Sequence, residues 1–552
     1  MQETKKQNYL KGAAILAAAS IFVKIIGAVY KIPIFSEMGV AGVGAFQVTY
    51  NIYTLILTIA TAGVPVAISR MVSAAAATGN TGLVKRYFSV ALPAFSVIGV
   101  AAMMIMFLFA DNLAGFMNNS LAGPGIRVMA PAVFFVCIIS VYRGYTQGFE
   151  NMIPTAASQV VEVLCKAAFG IAATFWLSSR NYGTAIVSAG AITGVTIGLG
   201  LCIPLLIWHK RKQVRLTLPA DDKGISQGCG ALPAGSPDEL PGRMSVLANL
   251  FKVSVPITLG ASFMAIMVVV DSSVVLGRLQ SGLSLSEYEA SSLFGIYTLG
   301  LTIYNLPPAL VVPVSISIIP AIAAALARKR GNEAGEIMQS AVKIVNLLAM
   351  PACAGIMVLA SPILVALYNN IEQVTINVLV ILGAASFFVC LQLITTAILQ
   401  ANGYEKLTMI TFPVGAALRI SLGYFLVVIP EISIVGSSIG TLACFVAISA
   451  LNIIFIIVKV KARPKFSRVF IKPLLCAAAM AGAAYSVYAL VFRIGSGIIG
   501  TGRAAVAVYL AASIVIAVVV YAVLIIVTRT LTKEDIMLIP KGEKLAKFLR
   551  IR

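Results

Sequence analysis

Long apolar runs, separated by short polar segments, recur from one end of the chain to the other. Fourteen fall at 12–34, 44–70, 87–110, 127–149, 154–177, 184–208, 247–276, 291–326, 338–368, 374–400, 406–429, 433–458, 470–492 and 503–528. Each is long enough to cross a ~30 Å hydrocarbon layer as a helix. None shows the ~10-residue alternation of barrel strands. Backbone polar groups in lipid must be satisfied within the segment. The pattern therefore predicts an all-α integral membrane protein with about fourteen transmembrane helices. The eighth and ninth runs are overlong, which predicts tilt or kinking. Prolines interrupt several runs: Pro65, Pro93, Pro131, Pro256, Pro307, Pro308, Pro313 and Pro351.

The pattern also repeats. Val64-Pro65-Val66-Ala67-Ile68-Ser69 returns 248 residues later as Val312-Pro313-Val314-Ser315-Ile316-Ser317. The same offset pairs Phe46 with Phe294 and Thr54 with Thr302. Gly79-Asn80 matches Gly331-Asn332 at 252, and Gln147 matches Gln400, and Lys166 matches Arg419, at 253. Small loop insertions produce such drift. Two six-helix halves follow, each crossing the membrane an even number of times and so sharing one orientation, as in parallel-repeat transporters. The expected organisation is an N-terminal lobe over 1–208, a linker over 209–246 and a C-terminal lobe over 247–459. Two further helices and a basic tail occupy 460–552. The linker is rich in Gly, Pro and Ser, the composition of a flexible connection. The paired Pro65 and Pro313 predict a bend in the second helix of each half.

Composition agrees. The 552 residues are 59% hydrophobic and 11% charged, where a soluble domain carries roughly 25% charged residues. The net charge of +21 is topological rather than a nucleic-acid signal, because Lys and Arg gather on the cytoplasmic side. With the N-terminus inside, six of the 41 Lys and Arg fall in outer loops: Lys31, Arg127, Arg180, Arg278, Arg493 and Arg503. Three, Lys24, Lys166 and Arg419, lie well inside spans, leaving 32 in inner loops, tails and the inner margins of spans. That asymmetry favours an even span count with both termini cytoplasmic in a multi-pass cell-membrane protein. The first run continues past Lys24 without a clear cleavage site, so it reads as a retained span rather than a signal peptide.

The ionisable residues inside spans carry the functional argument, since each costs at least about 2.5 kcal/mol at the centre of a span. Lys24 lies mid-span, with Lys31 seven residues on along the same helical face. Glu162 and Lys166 stand one turn apart on the fifth run, Arg419 lies on the eleventh, and Asp271 lies late on the seventh. Glu162 and Lys166 either form an intrahelical ion pair or face a polar cavity. Lys24 and Arg419 either face that cavity or pair with Asp271 or Glu162. Lys31 either serves the cavity or snorkels to an interface. Arg143 lies near the margin of its span. Three cations against two acids leave a positive balance, which suits an anion, and Lys and Arg in a low-dielectric site bind phosphate oxygens. Gln47, Asn51, Thr54 and Thr58 add polar positions on the second run. They read either as interhelical hydrogen bonding or as contacts along a water-filled path. Tyr297, Tyr304 and Asn305 do the same on the eighth.

No catalytic constellation stands out. His209, the sole histidine, sits at the basic flank of the linker, no Gly-Lys dipeptide opens a P-loop, and no CxxC suggests zinc or a disulfide framework. The chain reads as a non-enzyme without a cofactor or metal. Its transport would couple to membrane potential, Na+ or H+.

Three stretches carry a resemblance. They are Arg143-Gly144-Tyr145-Thr146-Gln147-Gly148 with Pro154-Thr155-Ala156-Ala157-Ser158-Gln159-Val160-Val161-Glu162, Leu399-Gln400-Ala401-Asn402-Gly403, and Gly63-Val64-Pro65 before Ser69-Arg70. Together they resemble the polysaccharide-transporter branch of the multidrug/oligosaccharidyl-lipid/polysaccharide (MOP) exporter superfamily. Within it, the resemblance is to the stage V sporulation protein B group, related to lipid II flippases. It implies two six-helix lobes around a central cavity with alternating access, and a substrate of polyprenyl-pyrophosphate-linked glycan. It also implies that the last two helices form a groove for the lipid tail. Those flippases carry cavity arginines on their first helix. Lys24 stands at the first such position here, while Tyr30, followed by Lys31, stands at the second.

The resulting expectation is a flippase of a lipid II-like peptidoglycan precursor in the cell membrane. Lys24, Lys166, Arg419, Arg143, Lys31 and Asn51 would bind substrate, and Glu162 and Asp271 would orient those cations or hold a coupling ion. Its partners would be the lipid-linked glycan, the bilayer and cell-wall synthesis proteins, with no nucleic acid. Two alternatives stand beside it: a cation-coupled multidrug exporter of the same superfamily, and a non-transporting scaffold for envelope or spore assembly.

Overall fold

The computed structural model describes residue 19 and residues 22–149, 151–217, 241–328, 330–368, 371–461, 466–497 and 500–528. Most of the linker and the basic tail lie outside these residues, as does most of the first expected span. Its residues 22–29 are helical. Helices account for the regular structure of the described residues, and thirteen are long and apolar enough to cross a membrane. They match the second to fourteenth expected spans, so the all-α multi-pass reading holds. The chain divides into two compact units, Met1–Gly277 with Ser286–Gly295, and Arg278–Leu285 with Ile296–Arg552.

The first unit contains α1 (Lys31–Thr61), α2 (Val64–Ala77), α3 (Thr81–Leu108), α4 (Ala110–Phe116), α5 (Gly123–Gly148), α6 (Ile153–Ser179), α7 (Thr184–Thr217) and α8 (Arg243–Leu283) as far as Gly277. α1 kinks at Gly39, whose φ of 68° and ψ of 168° are open to glycine alone at little cost. The chain breaks between α1 and α2 at Ala62 and Gly63, and Pro65 falls in the first turn of α2. A proline there costs nothing, because that N–H has no intrahelical partner. Asn80 caps α3 by accepting from the Leu83 N–H at 2.9 Å.

α8, placed by the sequence in the second lobe, packs with the first unit along much of its length. A Cβ on Gly63 would meet the Ser254 carbonyl oxygen at 2.2 Å. Phe251 packs on Phe95 with ring centroids 6.1 Å apart. The opening turns of α9 (Glu287–Tyr304) join the same unit: Ser291 Oγ donates to the Ala41 carbonyl at 2.9 Å. Ser286 and Glu289 form a reciprocal capping box at the start of α9. Hydrogen bonds from the Ser286 hydroxyl and N–H hold the Glu289 carboxyl below its ordinary pKa.

The second unit holds the rest of α9, α10 (Leu306–Ala327), α11 (Gly331–Val358), α12 (Ala360–Leu367), α13 (Gln373–Ala401), α14 (Glu405–Leu426), α15 (Val435–Lys459), α16 (Phe466–Gly495) and α17 (Arg503–Val527). The expected bend at Pro313 is corrected here, since Pro313 lies inside the continuous helix α10. The break comes at Asn305, with Pro307 at the following helix start. Consecutive prolines remove two ladder donors, and the start of a helix is where that loss is free. One core joins Met338, Val345, Ile394, Ile398 and Ile456. A second joins Met350, Met480, Ala484, Leu510 and Tyr521, between α11 and the two terminal helices. An apolar cavity of about 390 Å³ opens beside it, lined by Leu347, Pro351, Gly355, Ala517 and Tyr521 among others. The Tyr521 hydroxyl donates to the Leu347 carbonyl at 2.9 Å.

Candidate functional site

Glycines set the geometry of the first unit's charges. Gly190, Gly194 and Gly198 recur every fourth residue on α7, one per helical turn, and let α6 approach backbone to backbone. A Cβ on Gly194 would lie 2.5 Å from the Lys166 carbonyl oxygen, and one on Gly198 would lie 2.9 Å from that of Glu162. The two turns of α6 that carry membrane charges are thus the turns pinned to α7.

Glu162 and Lys166 do not pair with each other. Arg143, on α5, donates Nε to Ser158 Oγ at 2.9 Å and Nη2 to Glu162 Oε2 at 3.2 Å. Its planar fork engages both acceptors at once, so it neutralises the acid and is itself occupied. Lys166 turns instead to tyrosines. Its ammonium donates to the Tyr50 hydroxyl and stands 4.6 Å from the Tyr50 ring centroid and 5.0 Å from that of Tyr30. A desolvated cation on an aromatic face gains about 2 kcal/mol, which offsets much of the burial cost. Lys31 lies 5.7 Å from the Phe35 centroid. Rings link the two lysines: Phe35 to Phe46 at 5.4 Å, then Phe46 to Tyr50 at 5.0 Å. Among the described residues, neither lysine has a carboxylate partner within ion-pair distance.

Other expected residues have different surroundings. Lys24 is exposed on the helical residues 22–29. Asn51 is buried, accepts from Gln47 Nε2 at 2.8 Å and donates to Ser272 Oγ at 2.7 Å. Its amide ties α1 to α8, the interhelical alternative raised by the sequence. Asp271, 4% exposed, neighbours Ser272 on α8.

Arg419 lies on α14 in the second unit. Its Nη2 donates to the Tyr297 hydroxyl at 3.1 Å, and that hydroxyl pairs with Thr441 Oγ1 at 2.8 Å. A Cβ on Gly440 would lie 3.0 Å from the Arg419 carbonyl oxygen. The duplicated cation therefore keeps two attendants in each unit, a tyrosine hydroxyl and a helix glycine against its carbonyl. The charge inventory alone missed Tyr50 and Tyr30 as partners of Lys166. The available signal was the repeat itself, since Tyr50 falls one position from the equivalent of Tyr297 at the 248-residue offset.

The family model for polysaccharide biosynthesis proteins matches residues 9–326. The chain belongs to that family. It is 27% identical over 550 residues to the uncharacterized membrane protein YabM of Bacillus subtilis (strain 168), covering 99% of this chain and 98% of that one. Two further relatives from the same organism are 25% identical: the lipid II flippase MurJ, over 79% of this chain and 80% of that protein, and stage V sporulation protein B, over 81% and 83%. Among solved structures, an inward-facing multidrug resistance MATE transporter of the MOP superfamily superposes with a TM-score of 0.62 at 16% identity, covering 81% of this chain and 98% of that one. The lipid II flippase MurJ in an inward closed conformation gives 0.60 at 15%, covering 93% and 98%. The resemblance read from the sequence motifs is borne out, and the fold is that of the MOP transporters. Relatives and neighbours with a named activity are transporters and flippases, and the chain is a multi-pass membrane protein.

Proposed function

We propose that this protein is a flippase that carries a polyprenyl-diphosphate-linked glycan, lipid II-like in its anchor, from the inner to the outer leaflet by alternating access. The observation that carries the reading is the pair Lys31 and Lys166, one cation at the margin of a span and one within a span, neither of which has a carboxylate at ion-pair distance among the described residues. Such a pair is costly to keep unless an anion compensates it. The flippase named among the relatives supports the choice of substrate. Lys24 and Arg419 would add positive charge along the path, Arg143 would be held in reserve by Glu162, and Asp271 would orient cations or hold a coupling ion. The apolar cavity beside α16 and α17 has the chemistry for the lipid tail. With both termini cytoplasmic, an inside-negative potential would favour export of the anion by about 2.3 kcal/mol per charge per 100 mV. Coupling to Na+ or H+ would add to that drive. Cell-wall synthesis proteins would deliver or take up the glycan.

The test is reconstituted flipping of a labelled lipid II analogue, repeated with teichoic-acid and capsule precursors. Lys31→Gln with Lys166→Gln is expected to slow flipping at least about tenfold, equivalent to ~1.4 kcal/mol in the barrier. An unchanged rate would remove the charge mechanism. A second reading, export of cationic drugs, draws on the MATE-like fold. Drug efflux in a sensitised strain, lost on Asp271→Asn, would favour it over the flippase.

A further inference from the structure

The C-terminal half of α7 carries two stripes. At 3.6 residues per turn, Val195, Leu199, Cys202 and Leu206 share one side of the helix, and all are buried. Ile197, Leu201, Pro204 and Trp208 share the other side, and all are exposed. On a membrane-spanning helix that second side is open to acyl chains, which are as apolar as leucine. Both stripes run on into basic residues, but the two sets are held in opposite ways. Lys210 continues the buried stripe. Its ammonium stands 3.2 Å from the Phe88 ring centroid on α3 and 5.5 Å from that of Tyr145 on α5, so its charge is taken up inside the unit. Arg211 and Lys212 continue the exposed stripe, within an arc of about 100° that takes in Ile197, Leu201 and Trp208. Both are exposed, and among the described residues neither has a carboxylate at ion-pair distance. The Lys212 ammonium lies 5.6 Å from the Trp208 ring centroid. Tryptophan settles at the head-group level of a bilayer, so the cation beside it stands at that depth too. An acyl-facing wall, an interfacial indole and two unneutralised cations thus follow one another along a single helix face.

We propose that this face of α7 is a binding site for an anionic phospholipid of the surrounding bilayer. It lies in the leaflet at the C-terminal end of α7, the cytoplasmic one by the distribution of Lys and Arg. An acyl chain lies along Ile197, Leu201 and Pro204, Trp208 marks the boundary, and the phosphate meets Arg211 and Lys212. A zwitterionic lipid fits less well, because its own ammonium competes for the phosphate and is repelled by the two cations. Lys210 is the latch that ties the end of α7 to α3 and α5, and it takes no part in holding the lipid. The site does not depend on what the protein transports.

The experiment uses the full chain in nanodiscs. The chain has two tryptophans, so Trp176→Phe leaves Trp208 as the sole indole reporter. Brominated phosphatidylglycerol diluted into phosphatidylcholine is expected to quench Trp208 at a mole fraction about tenfold lower than brominated phosphatidylcholine does, the effect of two cations at the head-group level. Arg211→Gln with Lys212→Gln, in the same background, is expected to abolish that preference. Arg70→Gln with Lys85→Gln removes two exposed cations from the same unit and is expected to leave the preference intact. Lys210→Gln is expected to leave it intact as well, while lowering the midpoint of thermal unfolding. Equal quenching by the two brominated lipids, or a preference retained in the Arg211 and Lys212 variant, would overturn the site. An equal loss in the Arg70 and Lys85 variant would replace it with diffuse surface charge. A loss in Lys210→Gln would overturn the division of the basic residues between the two stripes.

Discussion

Lys166 in the first unit and Arg419 in the second occupy equivalent places in a duplicated sequence, yet they are held differently. Both sit on a helix whose carbonyl rests against a glycine of the next long helix, and both donate to a tyrosine hydroxyl. The lysine is a point charge between two rings. The arginine is joined to a relay, since Tyr297 passes its hydrogen bonding on to Thr441. The scaffold of the duplicated unit was retained while its chemistry diverged. A compact ammonium on aromatic faces can exchange partners readily, whereas a guanidinium wired through a buried hydroxyl is better fixed.

The glycines give the sharpest contrast. Gly194→Ala would drive a Cβ to 2.5 Å from two backbone atoms, the Lys166 carbonyl oxygen and the Gly170 nitrogen, neither of which can swing away. Gly440→Ala meets backbone at 3.0 Å. Thermal unfolding in detergent is expected to show a loss of about 3 kcal/mol for the first and about 1 for the second. Equal losses would mean that the two helix seams are equally tight.

The tyrosines come next and reverse the order of the units. Tyr297→Phe strips partners from both Arg419 and Thr441 inside a buried relay, and should cost about 2 kcal/mol. Tyr50→Phe leaves the lysine its aromatic face and should cost about 1 kcal/mol. The same unfolding assay checks both. A larger loss at Tyr50 would place the rigid attachment in the first unit instead. The smallest effect is expected at the ion pair. Glu162→Gln should lower stability by only about 0.5–1 kcal/mol, because the pair is partly exposed and Arg143 retains Ser158. A loss several times larger would show Arg143 to be a cornerstone of the unit rather than a held reserve.

Much of this architecture was legible in the sequence. Apolar run length set the spans, because lipid leaves a backbone no alternative to helix. The 248-residue offset exposed the duplication, and the cost of charge in lipid singled out Lys166, Glu162 and Arg419. The bends were half legible. A proline shows that a helix is weakened, but Gly63 allowed the break just before Pro65, whereas Pro307 and Pro308 drew it away from Pro313. The site was legible as an inventory of charges and illegible as a set of partners. One-turn spacing on α6 left Glu162 and Lys166 open between an ion pair and a cavity, and Asn51 open between an interhelical hydrogen bond and a polar path.

The sequence by itself determined a many-helix membrane protein, built from a repeated unit and carrying buried cations in excess of acids. These follow from local rules, in which apolar length, residue offset and charge need no knowledge of neighbours. Only the tertiary structure decided that Glu162 belongs to Arg143, that Lys166 belongs to Tyr30 and Tyr50, and that Asn51 belongs to Ser272. Those choices depend on helices more than a hundred residues apart in several cases, and on glycines that set how closely their backbones approach. A side chain's partner is fixed by packing geometry, and packing geometry is a property of the assembled unit.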